Sequence, residues 1–274
     1  MNHLLARLKG RSETMWKVMS QDADFYSIPN LTSSQVYDPR YKLDEEEWHR
    51  LENYSEKGFR NSVIGEELNT ANFNQISLQD YSKILFLACK QDEYWLFQKL
   101  TPSQFLRKRW FRISEAPTLR VDEPIIVLNN FLDAVYDIGN DTLYFRDLAR
   151  VKQIFRGIEE LYREATQEEV AGFLGNDFLS LESDYSAESV KSANRKRIAL
   201  VLDRLAELEE DEVSTLLQYT AEYCTDIQFE DGAFSVSSED ELKRVLYGIE
   251  ERYYTTRLGQ EKRLANSIKT LGGA

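Results

Sequence analysis

Residues 99–113 (KLTPSQFLRKRWFRI) hold five cations, Lys99, Arg107, Lys108, Arg109 and Arg112, with no carboxylate among them. Unbalanced cations on an acidic chain suggest a local anionic partner. In an extended strand, Phe111 and Ile113 point to one face while Lys108, Trp110 and Arg112 point to the other. Two cations flanking an indole suit phosphate contact together with stacking on a base or sugar. The competing expectation is that Trp110 is core and the cations pair with the chain's many acids. A second tract, Lys191, Arg195, Lys196 and Arg197, also has no acid between its ends. On a helix these residues form a collar around one turn, with Lys196 opposite the apolar stripe and Arg195 and Arg197 on its flanks. A third set, Arg252, Tyr253, Tyr254 and Arg257, combines tyrosine with arginine as protein interfaces do, and is read as a self-complementary homodimer surface.

Catalysis has fewer resources. The only histidines are His3, close to the terminus, and His49, expected in solvent on a charged helix; neither stands beside a nucleophile. There is no GxxxxGK[ST] loop and no GxGxxG fingerprint, which argues against nucleotide hydrolysis and dinucleotide chemistry. Carboxylates remain. Asp133 and Asp137 share one face of an expected strand, and Asp92, Glu93 and Lys99 surround a hairpin. They are read as polar residues of a solvated sheet face and a turn. The alternative is a metal-dependent nuclease using Asp133 and Asp137. Residues 209–212 (EEDE) read as a solvated helix junction. No catalytic residue, metal ligand or cofactor is therefore expected.

With 34 Lys+Arg against 47 Asp+Glu, the formal net charge is −13 over 274 residues. A whole surface of that sign repels nucleic acid, so any contact must be focused on particular patches. Cys89 and Cys224 read as reduced, buried thiols. No run of about 20 apolar residues is present, so no direct membrane insertion is expected, and the basic N-terminus lacks the apolar centre of a signal peptide. The cytoplasm is the expected compartment.

The elements that must position these residues read as α+β. Residues 43–58 open with acids and stop at Gly58, which predicts a helix, after an irregular stretch over 22–40. Strands are expected at 83–89, 94–99, 109–114, 124–128, 133–138 and 143–146, forming a largely antiparallel sheet. The first two, with 125–128, do not alternate in polarity and should be central. Helical spacing follows over 147–165. Thr166 with Glu169 makes a capping box ahead of a helix over 170–181. Further helices are expected from Ser186, over 211–223, after a second capping box at Ser238 and Glu241, and over 260–271. Asp231–Gly232 marks a small hairpin between 227–229 and 234–236. The organisation is a helical or irregular segment (1–75), a sheet region (76–146) and a helical region with a small hairpin (147–274), the last two packed as one unit.

The strand pair KILFLACKQDEYWLFQKL, the basic strand, and PIIVLNNFLDAVYDIGNDTLYFRDLARVKQIF resemble the domain of the KwaB proteins of the Kiwa anti-phage system. NRKRIALVLDRL, FEDGAFSVSSEDELKRVL and YYTTRLGQEKRLANSIKTL resemble that family's C-terminal half, so the likeness spans about residues 79–271. It singles out Asp133 and, as a helix anchor, Phe155. The resemblance implies a cytoplasmic bacterial defence protein that binds double-stranded DNA, self-associates as a homodimer or higher assembly, and works with a membrane-protein partner. Arg107, Lys108, Arg109, Arg112, Arg195, Lys196 and Arg197 would be its DNA contacts. The expectation is a non-catalytic DNA-binding protein. The alternatives are the nuclease, or a protein-only adaptor or DNA mimic.

Overall fold

The computed structural model describes every residue except 11, 13, 60, 62, 65–72, 107, 108, 114, 122, 124, 183 and 270–274. It is α+β, with two units: Met1–Asp38 with Leu43–Glu159, and Pro39–Lys42 with Glu160–Ala274.

The first unit is built on a sheet of eight strands. β1 (Asn2–Leu8), β2 (Met15–Gln21), β3 (Ser34–Val36), β4 (Trp48–Leu51), β5 (Ile84–Gln91) and β6 (Tyr94–Lys99) precede an inserted arm. The arm holds β7 (Phe105–Leu106), β8 (Trp110–Arg112), β9 (Thr118–Arg120) and β10 (Ile125–Ile126). β11 (Ala134–Asp137) and β12 (Thr142–Phe145) then return to the sheet, whose order is β2-β1-β5-β6-β11-β12-β4-β3. All its pairings are antiparallel except β3 with β4. The continuous apolar runs of β5 and β6 place them at the centre, buried on both faces as expected. Leu4, Ala6, Leu87, Cys89, Leu96 and Val135 join one buried cluster. Phe97 meets Phe86 and Phe155, the latter edge-on at 5.1 Å. Burial pushes the Cys89 thiol up to about 12, so it is an inert core group.

Several expectations are corrected here. Residues 1–75 are not a helical or irregular segment, since they supply β1–β4. Leu4, Leu5 and Ala6 alternate between the two faces of the sheet and are all buried, β1 lying inside the sheet between β2 and β5, and burial on both faces removes the polar alternation of a strand. The helix expected over 43–58 is β4 followed by a 3-10 turn at Tyr54–Lys57, ended by Gly58 at φ 71°. Pairing of β4 with β12 and β3 outweighs the acidic helix-start signal. His49 is accordingly buried rather than solvated, with Tyr37 edge-on at 5.0 Å, and burial lowers its pKa. His3 lies within β1, with Nδ1 2.7 Å from the Ser20 hydroxyl. The helix expected over 147–165 is only α1 (Leu148–Val151) and a 3-10 turn at Ile158–Tyr162, with Gly157 at φ 90° interrupting them.

In the second unit, α2 (Gln167–Leu174) starts at the expected Thr166–Glu169 capping box but stops at Gly175, and β13 (Leu179–Leu181) takes the rest of the expected helix. α3 (Ser192–Leu205) begins six residues later than expected, after a 3-10 turn at Ala187–Ser189. α4 (Glu210–Tyr223), β14 (Phe229–Glu230), β15 (Ala233–Val236) and α5 (Glu239–Ile249) follow in the expected order. Asp231 (φ 50°) and Gly232 (φ 84°) are both left-handed, the geometry that a two-residue hairpin turn requires. Ser238 caps α5 by accepting from the Glu241 amide at 3.3 Å, but the Glu241 carboxylate accepts from Ser237 and the box is not reciprocated. Phe173, Ile198, Val201, Phe234, Val245 and Ile249 form the core. The helix expected over 260–271 is absent among the described residues: β16 (Tyr253–Thr255) and β17 (Lys262–Leu264) form a hairpin there.

Candidate nucleic-acid interface

The arm of the first unit is a nested hairpin: β7 pairs with β10, and beyond them β8 pairs with β9. This corrects the strands expected at 109–114 and 124–128, which do not join the large sheet. Thr101 and Gln104 form a capping box around the turn that launches the arm. Buried Gln104 donates from Nε2 to the Val127 carbonyl at 2.9 Å, and its own carbonyl accepts from the Val127 amide at 2.9 Å. The root of the arm is apolar: Phe105, Ile126 and Leu128 help to line a cavity of about 710 Å³ with Leu4, Val18 and Tyr81.

Further out, Trp110 lies opposite Arg120, Phe111 opposite Leu119, and Arg112 opposite Thr118. The strand period therefore separates Trp110, Arg112, Thr118 and Arg120 from Phe111 and Leu119, as the sequence alternation predicts. Trp110 is half-buried and its indole N–H donates to the Glu123 carbonyl at 2.9 Å. Arg120 pairs with the Glu123 carboxylate at 3.1 Å. Arg109 and Arg112 are exposed and have no carboxylate within ion-pair distance among the described residues. Arg107 and Lys108 lie outside the described residues.

The second tract is placed differently. Arg195 donates to the carbonyls of Val190 (3.0 Å), Ala165 and Ala187 and to the Gln167 side chain. Lys196 lies over the Tyr162 ring at 5.0 Å. Arg197 donates to the Ala193 carbonyl, the Asn194 side chain and the Tyr247 hydroxyl, and its guanidinium lies 4.9 Å from the Tyr247 ring centre. All three are half-buried. The counter-charge nearby is Glu250, buried and ion-paired to Arg252. Burial raises the Glu250 pKa, against the opposing effect of the Arg252, Arg197 and Arg40 charges.

Of the expected interface residues, Arg252 is half-buried over the Tyr247 ring at 4.9 Å. Tyr253 stacks on Tyr223 at 5.3 Å, and its hydroxyl donates to the Arg244 carbonyl at 3.1 Å. Tyr254 and Arg257 are exposed. Arg252 and Tyr253 thus pack on their own unit, and only the other two present side chains to solvent.

Asp133 and Asp137 are both buried, not on a solvated face. Asp133 pairs with Arg150 and accepts from the Lys99 amide at 2.6 Å. Asp137 accepts from the Asn140 amide at 3.1 Å and from its side chain at 2.8 Å, closing the turn between β11 and β12. Among the described residues no group of three or more His, Cys, Asp or Glu is placed to hold a metal ion. No described helix is long and apolar enough to cross a membrane.

Sequence reasoning missed the exposed apolar side chains of the arm, Phe111, Ile113, Leu119 and Val121. Their shared odd numbering on either side of Pro117 was the available signal. Comparison of the chain with protein-family models, with curated proteins and with solved structures finds no match in any of the three.

Proposed function

We propose that this chain is a non-catalytic binding protein that contacts the phosphates of double-stranded DNA through the arm of its first unit. The observation that carries this reading is the exposure of Arg109 and Arg112 without neutralising acids on a chain of net charge −13. An acidic surface leaves ion-pair partners easy to find, so two arginines held away from them are available to an external anion. Arg107 and Lys108 adjoin them in sequence and extend the same charge. The internal engagement of Arg195 and Arg197 makes the arm, rather than α3, the primary contact. The resemblance to the KwaB proteins supports a place in bacterial anti-phage defence, in the cytoplasm, as a self-associating protein beside a membrane-protein partner. Asp133 and Asp137 are held by Arg150 and Asn140, and no observation favours the nuclease reading.

Duplex affinity measured against salt tests this. Each phosphate contact contributes about 0.9 to the slope of log affinity on log salt. Replacing Arg109→Glu and Arg112→Glu together should lower that slope by about 2 and weaken binding to all sequences alike. An unchanged slope in a folded double variant rejects the arm as the contact.

A further inference from the structure

β8 and β9 form a two-stranded sheet of their own, and Phe111 and Leu119 face each other across it. Their side chains are 70% and 52% exposed, and the two-residue period carries the same face on to Ile113 (92%) and Val121 (48%). Among the described residues, neither of the buried hydrophobic clusters includes these side chains. Contiguous exposed apolar surface of this kind marks an interaction site, and phosphate contact alone leaves it unexplained. Arg109 and Arg112 adjoin Phe111 in sequence, Arg112 on the other face of the ribbon, so cations that lack acidic partners among the described residues accompany the apolar pair.

Resting on the DNA reading above, we infer that the Phe111–Leu119 pair is a wedge that enters the minor groove of duplex DNA and partly unstacks a base step. Exposed Phe, Leu and Ile side chains between flanking cations are the chemistry by which minor-groove proteins kink the duplex. Arg109 and Arg112 hold neighbouring phosphates while the apolar pair meets the base step. Pyrimidine–purine steps, which deform most easily, are the preferred target. An anionic lipid surface would also attract cations and apolar side chains. The outcomes of the test separate it from the duplex.

The test uses the full chain and a short duplex with 2-aminopurine at a central TA step and a donor–acceptor dye pair at its ends. Native protein at saturation should raise the base-analogue emission and the energy transfer between the ends. Phe111→Ser with Leu119→Ser should keep the salt slope of binding and lose both signals, with unchanged circular dichroism. The wedge is overturned if native protein binds with neither signal, or if the double variant retains both. Arg109→Glu with Arg112→Glu tests the underlying reading separately, because it should lower the salt slope by about 2, which the apolar double variant leaves unchanged. No duplex binding by native protein overturns both. Sedimentation with phosphatidylglycerol vesicles that depends on Phe111 and Leu119, without duplex unstacking, assigns the face to lipid and also overturns the wedge.

Discussion

On the arm of the first unit, Arg112 stands in solvent with no carboxylate partner among the described residues, whereas Arg195 on α3 of the second unit directs its guanidinium at three backbone carbonyls and a glutamine. Arg197 and Arg252 both pack on the Tyr247 ring, and Arg252 pairs with the buried carboxylate of Glu250. Both tracts are acid-free runs of cations in the sequence. The difference comes from what surrounds them. On the two-stranded ribbon, Glu123 engages Arg120 and Trp110, and no described carboxylate reaches Arg109 or Arg112, so those two cations stay available. A helix packed on α2 and α5 presents its flanks to loop carbonyls and aromatic rings, which satisfy five-donor guanidinium groups well. Charge density along a chain is therefore a poor guide to charge available at a surface.

The second tract depends most on the helices that support it. Gly248 of α5 lies where an added Cβ would overlap the Thr220 side chain of α4. Gly248→Ala should destabilise the second unit by about 3 kcal/mol by forcing these helices apart. It should also move Tyr247 away from Arg197. Urea denaturation followed by tyrosine fluorescence reads both effects, and a loss below about 1 kcal/mol would mean that the helix contact is more yielding than close packing allows.

The next largest effect separates the tracts directly. Arg195→Ala removes a charged donor from the Val190, Ala165 and Ala187 carbonyls and should cost about 2 kcal/mol of stability. Arg112→Ala should change stability by less than about 0.5 kcal/mol, as befits an exposed side chain with no carboxylate partner among the described residues. Equal costs at the two positions would abolish the distinction between a structural and an available tract.

The smallest effect is a pH dependence. The Glu250 pKa is raised by burial, so between its ordinary value of 4.5 and its folded value the native state holds the proton that the unfolded state releases. Stability should then fall as pH rises through that window, by at most about 1.4 kcal/mol per pH unit, and Glu250→Gln should flatten this slope. His49 acts in the opposite direction. Its lowered pKa means that stability is fully present above pH 6.5 and declines as pH falls from there toward the folded value. Melts of native chain and Glu250→Gln between pH 4.5 and 7 distinguish the two, since only the slope from Glu250 disappears in the variant.

Where local chemistry sufficed, the elements were legible. The Asp231–Gly232 turn, the Thr166–Glu169 capping box and the central position of β5 and β6 all follow from residues within a few positions of one another. Residues 43–58 carry a helix-start signal but form a strand because β4 pairs with the distant β12, whereas residues 260–271 contribute β17 to a local hairpin with β16. The arm was half legible. Alternation at Phe111, Arg112 and Ile113 was read correctly, but the sequence carried no sign that this strand would leave the large sheet and pair only with β9.

What the chain's order of residues determined by itself was therefore the α+β class, the two-sided burial of β5 and β6, the tight turns and the faces of individual strands and helices. These depend on backbone sterics, hydrogen-bond capping and period, which act over a few residues. Tertiary structure alone decided that Asp133 would pair with Arg150, that His49 would be buried beside Tyr37, and that Arg195 would be engaged internally while Arg109 and Arg112 would not. Those outcomes depend on which groups reach one another across the fold, because the strength of a charge or a polar contact is set by burial and by partners that the neighbouring sequence does not contain.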